Sequence, residues 1–281
     1  MKKMKLTIIM LIGIMLLVGC GSSSKSASSQ NDAKDKQTVD TLKTIKEKGT
    51  LVVGTSADFS PFEFKTLVDG KDTFVGSDIE MVKAIAEKLD VKVEFMDMQF
   101  DAVLVALQQG KVDIAVSGIS ATTERQKKFD FSIPYYNPPQ KVVINKKNKD
   151  VLTSIESLKG KKVGAQKGSI QEGVVESQIS DAQIVSIPRV PNLIVELNQG
   201  SIDGLVLEET IAESYINQNS ELMFADIELK SSEDEAFAIA MPKGDTNLKK
   251  ELDSILKEMI EKGKIDQFVK EAMELADKKN Q

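Results

Sequence analysis

The ten residues LQQGKVDIAV at positions 107–116 return ninety residues later as LNQGSIDGLV at positions 197–206. Each copy passes from an amphipathic run through a Gly to an Asp and then to an apolar run. A Gly directly after a helical pattern indicates a helix end, and the short apolar run indicates a buried strand. Helix–Gly–strand units also occur in unrelated α/β proteins, so a duplicated unit and a coincidence both stay open on this pattern alone.

Strand-like and helical patterns alternate before each copy, which favours two related α/β lobes. Glycines flank the first strand of each set, at Gly49 and Gly54 and again at Gly160 and Gly164. The predicted strands are residues 50–55, 91–96, 112–116, 162–165, 184–187, 204–207 and 235–241. The predicted helices are residues 77–89, 100–109, 170–178, 193–199, 210–217, 245–262 and 264–276.

The composition excludes most catalytic chemistry. The chain of 281 residues has no His, a single Cys and a net charge of −6. Without His, a Ser-His-Asp triad and His-containing zinc sites are impossible, although carboxylate-only chemistry survives. The acidic balance argues against binding to a nucleic-acid backbone. We therefore predict no catalytic residue, no metal site, no cofactor and no nucleic-acid partner.

The first 39 residues have the pattern of an export signal and a tether. Lys2, Lys3 and Lys5 precede an apolar run at 6–18, which is shorter than the roughly 20 residues of a membrane span and typical of a secretory signal. LVGC at 17–20 resembles the bacterial lipobox, which implies lipid attachment at Cys20; an ordinary signal with a chance Cys is the alternative. We predict a signal peptide at 1–19 and a flexible, Ser-rich tether at 20–39.

Ligands of open α/β sheets bind beyond the carboxyl ends of the strands. Four loops follow the strands in this way and are expected to face one another across a cleft: residues 56–61, 117–125, 166–169 and 208–210. In the loop 117–125, Ser117, Gly118 and Ser120 offer hydroxyls and accessible backbone, and Arg125 offers a planar guanidinium that suits a carboxylate. A surface Arg in a charged turn is the alternative for Arg125.

Opposite this loop, Glu208 follows an apolar strand directly and could accept from a cation, or could merely favour the start of a helix. Phe59 and Phe100 could form walls around an apolar ligand stem, with core packing as the alternative for each. A cation site and an anion site across one cleft suit the zwitterion of an α-amino acid, because buried charges are tolerated only when paired.

These residues stand in a set of motifs that resembles the family 3 extracellular solute-binding proteins, the receptors of polar amino-acid ABC importers. The resemblance runs from about residue 45 to 275. Its motifs are GTS at 54–56, PF at 61–62, GSDIE at 76–80, FD at 100–101, SGIS at 117–120 with Arg125, FDFS at 129–132, LKGKKVG at 158–164 and GS at 168–169.

The resemblance implies a type II periplasmic-binding-protein-like α/β fold. It implies two lobes, residues 40–136 with 236–281 and residues 137–235, joined by two crossover hinge strands near 136–140 and 228–235. It also implies that Arg125 binds the ligand α-carboxylate with the backbone at Ser120 and at Ser169 or Ile170. Glu208, helped by Ser117 and Gly118, takes the α-ammonium, and Phe59 and Phe100 sandwich the ligand.

The sequence departs from the family pattern at three of these positions. Glu208 stands where Asp is usual, Ile170 replaces a common Thr, and Ser56 stands where several members that bind basic side chains carry Asp. The side-chain selectivity therefore stays open within polar and basic amino acids. Four further polar residues are expected to be solvated or capping rather than ligand-binding: Asp58, Glu63, Gln99 and Gln166.

The function expected from these residues and this resemblance is that of a monomeric amino-acid receptor. It would close on a free amino acid and deliver it to a membrane permease with its ATPase. Its place would be the outer face of a Gram-positive membrane, held by lipid, or the periplasmic side in a Gram-negative cell. A carboxylate-dependent lyase or hydrolase on the same scaffold is the alternative, and so is a sensory or adhesin module without transport.

Overall fold

Two five-stranded sheets with the same topology organise the chain in the computed structural model, which describes residues 40–278. The first sheet contains, in spatial order, β5 (Lys92–Asp97), β1 (Thr50–Thr55), β6 (Ile114–Ala115), β13 (Ala240–Pro242) and β7 (Phe129–Phe131). The second contains β10 (Gln183–Ile187), β9 (Lys162–Gln166), β11 (Gly204–Glu208), β8 (Gln140–Asn145) and β12 (Leu222–Phe224). In each sheet the first three strands are parallel, and the fourth runs antiparallel to its two neighbours.

Helices connect the parallel strands of each sheet, as the alternating pattern predicts. The predicted helix at 77–89 is confirmed, and its apolar positions Ile79, Val82, Ala86 and Leu89 are all buried. The helices of the described residues are α1 (Thr41–Lys48), α2 (Ser77–Leu89), α3 (Phe100–Gln108), α4 (Thr123–Gln126), α5 (Ile170–Gln178), α6 (Val190–Gln199), α7 (Glu209–Gln218), α8 (Thr246–Glu261) and α9 (Lys264–Lys278).

The repeated Asp of the two sequence copies makes the same pair of hydrogen bonds in each sheet. Asp113 accepts from the Val52 amide at 2.7 Å and donates its own amide to the Val52 carbonyl at 2.8 Å. Asp203 accepts from the Lys162 amide at 2.9 Å and donates to the Lys162 carbonyl at 2.8 Å. Asp113 therefore connects the turn before β6 to β1, and Asp203 connects the turn before β11 to β9. The sequence repeat is thus also a structural repeat.

A glycine in the first strand of each sheet makes room for the helix above it. An ideal Cβ on Gly54 would lie 3.2 Å from Val112 and 3.6 Å from Val103. An ideal Cβ on Gly164 would lie 2.7 Å from Ile202 and 2.9 Å from Leu193. Val112 and Ile202, like Val103 and Leu193, are ninety residues apart, so the duplication extends to the packing of the core.

A three-stranded ribbon follows the first strand and was not predicted. It contains β2 (Asp58–Phe59), β3 (Glu63–Val68) and β4 (Lys71–Val75). Asp69 and Gly70 connect β3 to β4 and have φ angles of 52° and 74°. An Asp-Gly pair with both φ angles positive is a strong signal for a two-residue hairpin, and it stands in the sequence.

The chain crosses between the sheets twice, from β7 to β8 and from β12 to β13, and the two crossovers pair with each other. Phe237 lies opposite Tyr136 in an isolated antiparallel bridge, and it also bridges Ser120. The predicted strand at 235–241 is therefore shorter, because Phe237 pairs with the other crossover while β13 begins only at Ala240. This pairing keeps the two connections together where the sheets meet.

The described residues fall within one compact unit, and the residue limits given above for the two lobes stay a prediction. No helix between residues 40 and 278 is long and apolar enough to cross a bilayer. The predicted signal peptide, tether and lipid site at Cys20 lie outside the described residues.

We expect Gly164→Ala to lower the free energy of unfolding by about 1–3 kcal/mol, because the new methyl would press on Ile202 and Leu193. Gly173→Ala is the matched control, since Gly173 lies inside α5 with no atom near its missing Cβ. That control is expected to stabilise by about 0.5–1 kcal/mol. Urea denaturation of both variants measures the difference, and equal effects would contradict the packing role of Gly164.

Candidate functional site

Three of the four predicted loops meet through direct hydrogen bonds at the boundary between the sheets. The amide of Ser56 donates to Ser117 Oγ at 3.1 Å, which joins the loops after β1 and β6. Arg125 Nη2 donates to the carbonyl oxygen of Gly168 at 3.1 Å, which joins the first-sheet loop to a loop of the second sheet. Glu208, at the end of β11, belongs to the fourth loop and interacts electrostatically with Arg125.

Arg125 is held at this boundary by its neighbours in the first-sheet loop. It lies in α4, where its amide donates to the capping Thr122 hydroxyl, and its Nη1 donates to the carbonyl oxygen of Ser120 at 2.9 Å. The guanidinium carbon lies 5.8 Å from the centroid of the Phe100 ring. Burial lowers the Arg125 pKa to about 10, which leaves the group cationic at neutral pH.

Glu208 is a buried carboxyl group without a full set of partners. It is 2% exposed, and its Oε2 accepts no hydrogen bond. Although Glu208 precedes α7, its side chain does not cap that helix. Burial raises its pKa to about 7; hydrogen bonds, including one from Gln171, and the charge of Arg125 oppose the shift, and nearby Glu235 adds to it. At neutral pH this carboxyl is therefore poised to ionise against a cation.

Phe59 and Gly118 are in contact and depend on each other. An ideal Cβ on Gly118 would lie 2.7 Å from Phe59 Cε1, and Gly118 has a φ of 52°, so a larger residue would be strained there. The Phe59 ring also lies 6.3 Å, centroid to centroid, from Phe62 and from Phe237. Phe59 thus joins the aromatic core and the strand-end loops, whereas Phe100 contacts the guanidinium of Arg125.

The predicted serine hydroxyls are already engaged within the protein. Ser120 Oγ donates to the Glu235 carbonyl at 3.0 Å, and Ser169 Oγ donates to the Gln166 carbonyl at 2.7 Å. Ser56 Oγ donates to Asp58 at 3.3 Å. Ile170 begins α5, directly after the capping position of Ser169. Around Ser120, Ser169 and Ile170, an anion would therefore be met chiefly by backbone amides and Arg125.

The expectation that Asp58, Glu63 and Gln166 are solvated or capping residues is wrong, because all three are buried. Glu63 is fully buried and accepts from Ser117 Oγ at 2.5 Å, while Asp78 accepts from Tyr135 and from the Gly118 amide. Gln99 is exposed, as expected. The signal that was available for Glu63 is its place between Phe62 and Phe64 in an otherwise apolar run.

These buried carboxyl groups are close enough to interact. Burial raises the pKa of Glu63 well above its usual range, and Asp78, Asp58 and Glu208 raise it further. Burial also raises the pKa of Asp58 and of Asp78 to about 6 in each case. One carboxylate oxygen in each of Glu63, Asp78, Glu208 and Glu235 has no hydrogen-bond partner, whereas Asp58 Oδ2 lies 3.3 Å from Arg189 Nη1 in an ion pair. A buried carboxyl without such a cationic partner needs a proton or a bound cation.

The chain is similar in sequence to a known family of proteins and to individual members of it. A family model described as "Bacterial extracellular solute-binding proteins, family 3" matches residues 51–274. The chain is 34% identical over 272 residues to the arginine-binding extracellular protein ArtP of Bacillus subtilis, covering 96% of this chain and 97% of that relative. It is 30% identical over 275 residues to the ABC transporter glutamine-binding protein GlnH of the same organism, covering 96% and 97%.

Solved structures show the same similarity. The substrate-binding protein AbpA of an amino acid ABC transporter from Streptococcus pneumoniae, bound to L-arginine, is 41% identical with a TM-score of 0.80, covering 83% of this chain and 98% of that chain. The ancestral amino-acid-binding protein AncCDT-1, a precursor of cyclohexadienyl dehydratase, is 34% identical with a TM-score of 0.75, covering 83% and 99%. These matches confirm the predicted type II two-lobe α/β fold.

We expect the ligand-free protein to lose stability as the pH rises from about 5 to 8. The Glu208 pKa is about 7 in the folded chain, against an ordinary value of 4.5. The folded state therefore keeps a proton that the unfolded state has lost, and this contribution disappears as the pH passes 7. Its size is on the order of 3 kcal/mol. Chemical denaturation across this pH range measures the loss.

Glu208→Gln should reduce the loss of stability between pH 5 and 8, because the amide has no proton to lose, while Asp58 and Asp78 keep their own contributions. Glu209→Gln is the matched control, since the neighbouring Glu209 is partly exposed and pairs with Lys141. It should leave the profile unchanged. Parallel profiles for the wild type and the Glu208→Gln variant would show that the buried carboxyl at 208 does not govern the pH response.

Proposed function

We propose that this chain, which belongs to the bacterial extracellular solute-binding proteins of family 3, is the amino-acid receptor of an ABC importer. We further propose that its ligand is a basic amino acid. Membership of this family implies an extracellular or periplasmic location and a membrane permease as partner. The observation that carries the choice of a basic ligand is the pair of buried carboxyls Glu63 and Glu208, which come from the two sides of the boundary and each have an oxygen without a partner.

The charges of the boundary favour a ligand with two cationic groups and one carboxylate. Arg125 supplies one cation for the α-carboxylate, and Glu208 can take the α-ammonium. Glu63 then remains on the side of the first sheet, where a cationic side chain would satisfy it. The relatives that are named for arginine, and the streptococcal structure that holds L-arginine, support the same class of ligand.

The individual ligand roles are part of the same proposal. The amides near Ser120, Ser169 and Ile170 would complete the carboxylate site with Arg125. Ser117 and Gly118 would assist Glu208 at the α-ammonium, while Phe59 and Phe100 would enclose the aliphatic stem and Ser56 would border the side-chain end. What supports this assignment is the contact of Arg125 with Phe100, Ser120 and Gly168, and that of Gly118 with Phe59.

Binding and closure would be coupled, because the two charged ligand sites lie on different sheets. Arg125 is carried by the loop after β6 and Glu208 by the end of β11. A ligand that bridges both groups stabilises only the closed arrangement, as in a hinge that closes on its ligand. The hinge would lie in the two crossovers that pair at Tyr136 and Phe237.

Lipid attachment at Cys20 would keep the receptor beside its permease on the outer face of the membrane. The support is the sequence LVGC at 17–20 after an apolar run, followed by a Ser-rich tether. We expect Cys20→Ser to move the protein from the membrane fraction to the soluble fraction and to abolish palmitate labelling. Ser22→Ala should change neither, and membrane retention of the Cys20→Ser variant would disprove the anchor.

An enzyme on the same scaffold is the second candidate. The observation in its favour is Glu208, whose pKa of about 7 would suit a general acid, together with the similarity to an ancestral precursor of a dehydratase. Incubation with each basic amino acid and chromatography of the mixture distinguishes the two functions. A receptor returns its ligand unchanged, whereas an enzyme yields product.

The test of the proposed function is a comparison of L-arginine with L-citrulline, which has nearly the same shape but a neutral side chain. We expect the wild type to bind arginine at least about tenfold more tightly, because citrulline would leave a buried carboxylate without a cation. Isothermal titration calorimetry measures both affinities. Equal affinities would contradict a basic ligand while leaving an amino-acid receptor in place.

Arg125→Ala should weaken the binding of L-arginine by about 2–5 kcal/mol, because it leaves the ligand carboxylate buried and unpaired. Lys127→Ala is the matched control, since Lys127 is an exposed cation two residues away that pairs with Glu124. The control should bind like the wild type. Near-unchanged arginine affinity in the Arg125→Ala variant would remove Arg125 from the site.

A further inference from the structure

The chain has only two arginines among 37 basic residues, and both lie where the two lobes meet. Arg125 reaches from the first-sheet side to Gly168 on the second-sheet side. Arg189 follows β10, precedes α6 and reaches in the opposite direction, to two carboxylates of the first-sheet side. The ligand proposal above uses Arg125 and leaves Arg189 without a role.

Arg189 holds Asp58 and Asp97 with one nitrogen. Its Nη1 lies 3.3 Å from Asp58 Oδ2 and 3.2 Å from Asp97 Oδ1. The Asp58 side chain is 7% exposed and that of Arg189 is 29% exposed, so the pair with Asp58 is largely shielded from solvent. Salt screens a shielded pair of this kind much less than an ion pair at an open surface.

Asp97 connects the same cluster to the backbone next to Asp58. It ends β5, accepts from the Ala57 amide at 3.1 Å and pairs with Lys65 at 2.8 Å. Asp58 and Asp97 repel each other as like charges, and Arg189 lies between them. The cluster therefore joins the segment at residues 56–60 to the start of α6 on the second-sheet side.

Two residues of α7 also make hydrogen bonds to the segment 56–60. The Tyr215 hydroxyl donates to the Asp58 carbonyl oxygen at 2.8 Å. The hydroxyls of Ser214 and Ser60 are 2.9 Å apart in a hydrogen bond. Residues 56–60 carry Ser56 and Phe59, two of the proposed ligand contacts. Residues 56–60 of the first-sheet side are thus held by the second-sheet side in two ways. The side chains of Asp58 and Ser60 and the backbone carbonyl of Asp58 all have partners there.

We propose that Arg189 is a positioning residue that, with Ser214 and Tyr215, fastens residues 56–60 over the bound ligand and sets how long the ligand stays. The proposal rests on the proposed function. Arg189 touches no ligand group itself and acts through Asp58, which it can reach only when the lobes are together. Its contribution therefore falls on ligand release, since contacts that form after encounter slow dissociation more than they speed association.

The choice of Arg over Lys follows from the geometry of the contact. A guanidinium is a planar fork with five donors, whereas the Lys ammonium is a compact and strongly hydrated charge on a flexible stem. The other basic residues of the chain are lysines, and Lys167 pairs with Asp101 at 2.8 Å near Gly168. Arg189 meets both carboxylates through Nη1, so a Lys at this position would keep the charge and lose the other donors of the fork.

Stopped-flow measurement of L-arginine binding tests this role. We expect Arg189→Gln to raise the dissociation rate constant about tenfold while the association rate constant stays within about twofold. Arg189→Lys should restore part of the loss. Adding Arg189→Gln to Asp58→Asn should cost much less than it costs alone, because both changes remove the same contact.

Lys159→Gln is the matched control, since Lys159 and Asp181 form an exposed ion pair within the second-sheet side. A dissociation rate in Arg189→Gln no faster than in this control would overturn the proposal, and so would a full additional loss in the double variant. If the wild type binds no basic amino acid, the proposed function fails, and hydrogen exchange of residues 56–60 decides the role of Arg189. Faster exchange in Arg189→Gln than in the control supports the role, and equal exchange overturns it.

Discussion

The burial of acidic side chains between two lobes is the constraint on which the rest of this molecule depends. Glu63 from the first-sheet side and Glu208 from the second interact through a region that is closed to solvent, with Asp58 and Asp78 close to Glu63. An ionised carboxylate loses most of its hydration when it is buried and needs a cation or a proton in return. Each of these groups therefore needs a proton or a cationic partner, and Arg189 supplies that partner to Asp58.

The duplicated architecture supplies the rigidity that makes this boundary specific. Asp113 and Asp203 close equivalent turns, and Gly54 and Gly164 let equivalent helices pack closely on the first parallel strands. The charged groups themselves stand on strand ends and short loops, where two rigid sheets can move them together as units. The paired crossovers at Tyr136 and Phe237 are the connection about which such a movement would take place.

Much of this could be predicted from the sequence because it depends on local patterns. The apolar spacing of 77–89, the Gly after each helix and the repeated Asp each act within a few residues, and the structure has them where they were predicted. The apolar pattern does not predict the ribbon β2–β4, although the Asp69-Gly70 pair in the sequence is a hairpin signal. The strand at 235–241 was placed too early because the partner of Phe237 lies a hundred residues away in the other crossover.

The sequence by itself determined the α/β class and the loops in which Arg125 and Glu208 stand, and it favoured a duplication, since periodicity and glycine positions are properties of neighbouring residues. Only the tertiary structure decided that Glu63 and Asp58 are buried and that Arg189 meets Asp58 and Asp97 from the opposite side. The reason is that burial and charge pairing depend on which distant segments come together. The spacing of residues along the chain does not predict which side chains of the two lobes come into contact.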